Sequence, residues 1–109
     1  MLQLKKPLAF IDLETTGVNL GTDRIVEIAI VKVLVDSTRI VKRKILNPEM
    51  PIPKNSSDVH GITDEMVKDA PTFKQVAQEL KQVLDGCDFA GYNSNRFDIP
   101  LLMEEFLRA

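Results

Sequence analysis

The chain has 109 residues, of which 44% are hydrophobic and 28% charged, with a net charge of −2 and a single cysteine. That length holds one modest core and not two, and no apolar run reaches the ~18 residues of a membrane span. Lone Cys87 leaves no internal disulfide and suits the cytoplasm, while the slight acidity argues against gripping nucleic acid by bulk charge.

In chain order, Lys5 and Lys6 precede only a short apolar run that Asp12 and Glu14 interrupt, which is not a secretory signal. Leu8 to Leu13 reads as a short buried strand, followed by a loop with Gly17, Asn19 and Gly21. Ile25 to Val35 is a β-branched run with both alternating faces apolar, so it is expected to be covered, at least in part, on both sides. Asp36-Ser37-Thr38 is a turn, and Arg39 to Leu46 alternates as a third strand, completing an antiparallel meander. Arg39, Lys42, Arg43 and Lys44 read either as a solvated strand face or as a phosphate-contacting patch. The three prolines of Asn47 to Ser57 indicate an ordered loop, and Thr63 caps a short helix near Glu65 to Lys68. Thr72 and Gln75 form a capping box, and Phe73, Val76, Ala77, Leu80, Val83 and Leu84 follow at helical spacing up to Gly86. Cys87 to Tyr92 is a fourth short strand. A last helix begins near Phe97 or Asp98, because Pro100 is tolerated in a first turn, and it turns Leu101, Leu102 and Phe106 inward. The pattern βββ-α-β-α predicts an α/β domain with a mixed sheet.

Three carboxylates stand out. Asp12 and Glu14, two apart on a strand, share a face with Cα atoms roughly 6–7 Å apart, and Asp98 sits where a helix dipole favours a negative charge. If strands one and four lie side by side, all three reach one edge. Carboxylates so placed can bracket two divalent ions roughly 3.5–4 Å apart, and oxygen donors favour Mg²⁺ or Mn²⁺ over Zn²⁺. Taken alone, an Asp-x-Glu at a strand end is usually an exposed turn, and Asp98 is more often a helix cap.

The wording of the segments goes further. Phe10–Gly17, FIDLETTG, resembles the first motif of the DEDD-type 3′-to-5′ exonuclease superfamily (DnaQ-like), and Gly91–Leu102, GYNSNRFDIPLL, resembles the second. Val59–Val67, VHGITDEMV, with Pro71-Thr72-Phe73, is similar to the linking segment of the proofreading exonucleases, a group that includes the epsilon subunit of bacterial DNA polymerase III. The resemblance spans nearly the whole chain, in order. It implies a ribonuclease H-like fold, residues 1–109 as one exonuclease-like domain, and a hydrolase that uses two Mg²⁺ or Mn²⁺ ions to release nucleotides from DNA 3′ ends. Carried over, Asp12 ligates or bridges both metals, Glu14 ligates one and positions water, and Asp98 ligates from the other side. Leu13 packs on the last base, while Thr15, Thr16 and Gly17 shape the nucleotide pocket, partly through backbone groups. Asn93 and Phe97 support the nucleotide or the site, and Tyr92 stands where relatives often have His.

The family's third motif, with a fourth acidic ligand and a His or Tyr base, has no counterpart after Asp98. The resemblance therefore implies a C-terminal strand and helix that are missing here, and leaves apolar helix surface exposed. His60, the one histidine, is read as structural or as a substrate-side contact, with a substitute base and a plain surface residue as alternatives. The implied partners are a single-stranded DNA 3′ end, with RNA as the alternative, and a DNA polymerase subunit. Self-association through the exposed edge is a further expectation. A catalytically weak module that binds nucleic acid or polymerase is the alternative function.

Overall fold

The computed structural model describes residues 5–90 and 97–109; the expectations placed on Gly91, Tyr92 and Asn93 lie outside the described residues. Three strands form the meander, β1 (Leu8–Thr15), β2 (Ile25–Val33) and β3 (Arg39–Ile45). A short β4 (Asp88–Ala90) lies parallel to β1, so the sheet order is β3-β2-β1-β4. The helices are α1 (Lys54–His60), α2 (Asp64–Val67), α3 (Phe73–Leu84) and α4 (Asp98–Arg108). None of the described helices is long and apolar enough to cross a membrane.

The alternation of β1 decides the architecture. Ala9, Ile11 and Leu13 are buried, and Phe10 and Asp12 point the other way. The buried set joins Ile28 and Ile30 of β2 beneath α3 and α4, which contribute Phe73, Leu80, Leu101 and Leu102. Phe73 and Phe106 meet edge to face at 5.0 Å, locking the two helices together. A smaller cluster of Val26, Ile52, Ile62 and Val67 seats the 47–70 segment against the start of β2.

The expected capping box is present: the Thr72 hydroxyl accepts from the Gln75 N–H, and the Gln75 side chain accepts from the Thr72 N–H. The last helix begins at Asp98 with Pro100 in its first turn. Two expectations differ. β2 stops at Val33, because Leu34 already closes the turn through hydrogen bonds with Ser37 and Thr38. On the second face of the sheet Val41 of β3 is 67% and Phe10 of β1 40% exposed, while every residue of β2 between them is buried or half-buried, in keeping with partial cover on both sides. Second, Asn47–Ser57 is not all loop. Pro53 stands just before α1 and Gly61, at φ 77°, closes it. This helix buries none of its residues, so no apolar period marks it; the Pro-before, Gly-after signature does.

Replacing Thr72 by Ala should remove the bond that its hydroxyl accepts from the Gln75 N–H, while the Gln75 side chain still accepts from the backbone N–H, and lower stability by about 1 kcal/mol in a urea titration, with an unchanged m-value.

Candidate active site

β1 presents Asp12 and Glu14 on the open face of the sheet. Their cross-strand partners on β2 are Ala29 and Glu27, which on β3 face Arg43 and Ile45. Two glutamates thus face one another directly, an arrangement that is unfavourable without a cation nearby; Arg43 approaches Glu27 to 3.6 Å from solvent. Asp98 arrives from α4. Among the described residues β4 pairs with β1 from Leu8 to Phe10, and further along β1 the Leu13 backbone N–H holds the Asp98 carboxyl down. The three acids therefore reach the same end of the sheet.

The three acids also act on one another's ionisation. Partial burial is the main cause that raises the Glu14 carboxyl above its ordinary range, with the Asp12 charge next; Glu27 and Asp98 add to the rise and His60 opposes it. Asp98 is also raised, by burial first and by Asp12, with the Leu13 hydrogen bond pulling down. Among the described residues no Lys or Arg forms an ion pair with Asp12, Glu14 or Asp98. A cluster of hard, mutually repelling oxygens fits Mg²⁺ or Mn²⁺ in donor type and charge. It does not form a closed cage: among the described residues, no three His, Cys, Asp or Glu side chains gather tightly enough to hold an ion. The arrangement fits ions that keep water or a phosphate oxygen in their shells.

Beside the acids lies a cleft of about 370 Å³, lined by Leu13, Glu14, Thr15 and Gly17 from the end of β1 and by Phe97 and Asp98 from α4. Asp12 is not in its wall. It stands on the adjoining sheet face, one residue before Leu13. The Thr15 hydroxyl donates to the Gly17 carbonyl at 2.7 Å, and Thr16 is turned inward, 1% exposed, donating to Asp23 at 2.8 Å. Gly17 is required by close approach, because a Cβ would lie 2.5 Å from the Asp23 carboxylate. Thr16, expected to shape the pocket, does not line the cleft, and its carbonyl is taken by the Ser56 hydroxyl at 2.7 Å.

The far wall is α1, with Asn55, Ser56, Val59 and His60. His60 Nδ1 accepts from the Ile62 N–H at 3.0 Å, so in the neutral ring Nε2 carries the proton and donates to the Thr15 carbonyl, also at 3.0 Å. Both ring nitrogens are thereby committed to backbone, which makes His60 a brace between α1 and β1 with no nitrogen free to take a proton from water. Val18 and Val59, both highly exposed, flank the cleft as apolar rims. Sequence reasoning missed Asn55 and Ser56 because it read Asn47 to Ser57 as loop, and it took Val59 only as the start of the linking segment.

Residues 9–109 match the exonuclease family model RNase_T. The chain is 34% identical over 108 residues to the 3′-5′ exonuclease DinG of Bacillus subtilis, covering 96% of this chain and 11% of that protein. It is 35% identical over 104 residues to the DNA polymerase III subunit epsilon of Haemophilus influenzae, covering 88% of this chain and 40% of that one. Exonuclease I of E. coli, in complex with a dT13 oligonucleotide, superposes with a TM-score of 0.83 over 95% of this chain and 24% of its own, at 20% identity. That likeness is one of fold, the ribonuclease H-like α/β arrangement. The chain spans less than half the length of these proteins.

A raised carboxyl holds its proton more tightly in the folded chain than in the unfolded one. The folded state is therefore favoured at low pH, and that advantage is lost as pH rises through the raised value. Glu14→Gln should accordingly stabilise the metal-free chain at pH 7, by less than about 1 kcal/mol because the group is partly solvated. The difference should vanish below about pH 4, as read from urea midpoints across pH.

Proposed function

This chain belongs to the RNase_T exonuclease family, and so to the DEDD-type, DnaQ-like superfamily, and from that premise we propose that it removes nucleotides from the 3′ end of single-stranded DNA. The observation that carries the reading is that Glu14 of β1 and Asp98 of α4 share the wall of one nucleotide-sized cleft, with Asp12 on the adjoining sheet face. The 3′-to-5′ polarity is supported by the Bacillus relative, a 3′-5′ exonuclease, and single-stranded DNA by the oligonucleotide bound to exonuclease I. The epsilon relative supports a DNA polymerase subunit as partner. Residues 1–109 act in this reading as a single exonuclease-like domain.

Asp12, Glu14 and Asp98 would hold two ions, Mg²⁺ or Mn²⁺. Bound there, the ions would supply Lewis-acid polarisation of the scissile phosphate, a hydroxide at neutral pH and charge stabilisation of the departing 3′-oxygen. The chain's own residues do the rest. Leu13, Val18, Val59 and Phe97 give the terminal base and sugar apolar walls. The backbone at Thr15, Thr16 and Gly17 fixes the rim, held from behind by Ser56 and His60. Glu14, beside the cleft and raised above the usual carboxylate range, orients the attacking water by accepting its hydrogen bond.

A second reading, a weak or inactive module that binds nucleic acid or polymerase, is favoured by one observation. His60 has both ring nitrogens engaged and cannot serve as general base.

With Mn²⁺ and 5′-labelled single-stranded DNA, the chain should yield a ladder shortening from the 3′ end. Asp12→Ala should slow it by at least roughly 10³-fold, the rate equivalent of several kcal/mol. Metal-dependent cleavage surviving in Asp12→Ala would refute the assignment. Oligonucleotide binding without cleavage by either protein would establish the second reading.

A further inference from the structure

Glu105 is the buried acid that the site does not use. It lies near the C-terminal end of α4 at 1% exposure, and burying an unpaired carboxylate there would be prohibitive. Its oxygens are fully engaged. Oε1 accepts from Arg24 Nε at 2.7 Å and lies 3.5 Å from Arg108 Nη1, and Oε2 accepts from the Ile25 backbone N–H at 3.0 Å. The Ile25 bond falls where the β1–β2 register shifts between Glu14 and Thr15, so Glu105 takes up a donor at the irregular end of the ladder. Arg108 also donates to the carbonyls of Leu20 and Asp23 at 2.8 and 3.2 Å. The 17–24 loop is in turn tied to Thr16, whose hydroxyl accepts from the Arg24 N–H at 3.0 Å.

Asp98 and Glu105 are seven residues apart, two turns and about 10 Å along one face of α4. The helix therefore meets the two central strands at both ends: Asp98 lines the same cleft as Leu13 of β1, whose backbone N–H holds its carboxyl down, and Glu105 accepts the Ile25 N–H of β2. We infer that Glu105 is a positioning residue: together with Arg24 it fixes α4 against the β1–β2 end and so sets where Asp98 stands relative to Asp12 and Glu14. The inference rests on the proposed function only for its consequence on metal binding; the placement of Asp98 against Leu13 is independent of it.

The test begins without metal. Hydrogen exchange of the Leu13 amide is followed in the wild type, in Glu105→Gln and in Leu80→Ala, a core variant that lowers stability without touching α4's tether. In Glu105→Gln, Leu13 should exchange at least about tenfold faster beyond any shift shared with the Ile30 and Val41 amides; Leu80→Ala should show only the shared shift. Arg24→Lys, which keeps the charge but loses the Nε fork, should move Leu13 the same way by less, and it stands in if Glu105→Gln does not fold. Mn²⁺ titration of the folded proteins should then show about tenfold weaker binding in Glu105→Gln, the size expected when a support behind a ligand is lost. Leu13 exchange that moves only with the shared shift in both variants overturns the inference. A Leu13 response in protein that binds no Mn²⁺ upholds the tether and removes the metal reading instead.

Discussion

Strand β1 has to satisfy two solvents at once. Its odd-numbered residues, Ala9, Ile11 and Leu13, are sealed beneath α3 and α4, while Asp12 and Glu14 between and beyond them must stay accessible to water and ions. Only an extended backbone separates neighbouring residues so completely, because its side chains alternate with a period of two. Everything else in the structure follows from keeping that strand flat, central and ended at the right place. The β2 partner fixes its register along one edge, and among the described residues β4 pairs with Leu8 to Phe10 along the other. At the far end of the strand α4 brings Asp98 into the same cleft as Leu13 and Glu14.

Gathering acids in this way works against the fold. Glu14 and Asp98 are both pushed above their ordinary ionisation range by burial and by Asp12, and Glu14 also faces Glu27 across the ladder. Functional sites often hold such uncompensated charge, and the stability comes from elsewhere. Here it comes from the Phe73–Phe106 contact, the capped α3 and the apolar layer beneath the sheet. The Glu105 pairing with Arg24 and Ile25 adds direction to that packing. Apolar contacts allow a helix to slide and rotate by small amounts, whereas a carboxylate gripping a backbone N–H and a guanidinium fork does not.

The opposite wall of the cleft is built differently. Helix α1 buries none of its residues and is held by Ser56 and His60, each donating to a backbone carbonyl at the end of β1, while Ile52 and Ile62 anchor the chain on either side. A wall attached mainly by hydrogen bonds can adjust to a ligand more readily than one that is part of the core. The cleft thus pairs a rigid side, carrying the acids, with a lightly fastened side, carrying apolar Val59.

Much of this was legible in the sequence. The alternation in Leu8–Leu13, the capping box at Thr72 and the Pro100 constraint place β1, α3 and α4 within a residue or two, since each is a local rule read from neighbours in the chain. Asp12, Glu14 and Asp98 stood out because acids beside apolar runs break the local pattern. Helix α1 was not legible, because it lies on the surface without an apolar period. Glu105 was not legible either, because among the acids of α4 nothing local distinguishes it from Glu104. Its burial exists only once Arg24 and Ile25, some eighty residues earlier in the chain, are folded against it. The sequence by itself determined β1, α3 and α4 and their facing and singled out the three acids, because those readings depend on contacts a few residues apart. The tertiary structure alone decided which carboxylate is buried, that His60 braces backbone with both nitrogens, and that Asp98 meets Leu13, because those outcomes depend on distant donors that no local pattern encodes.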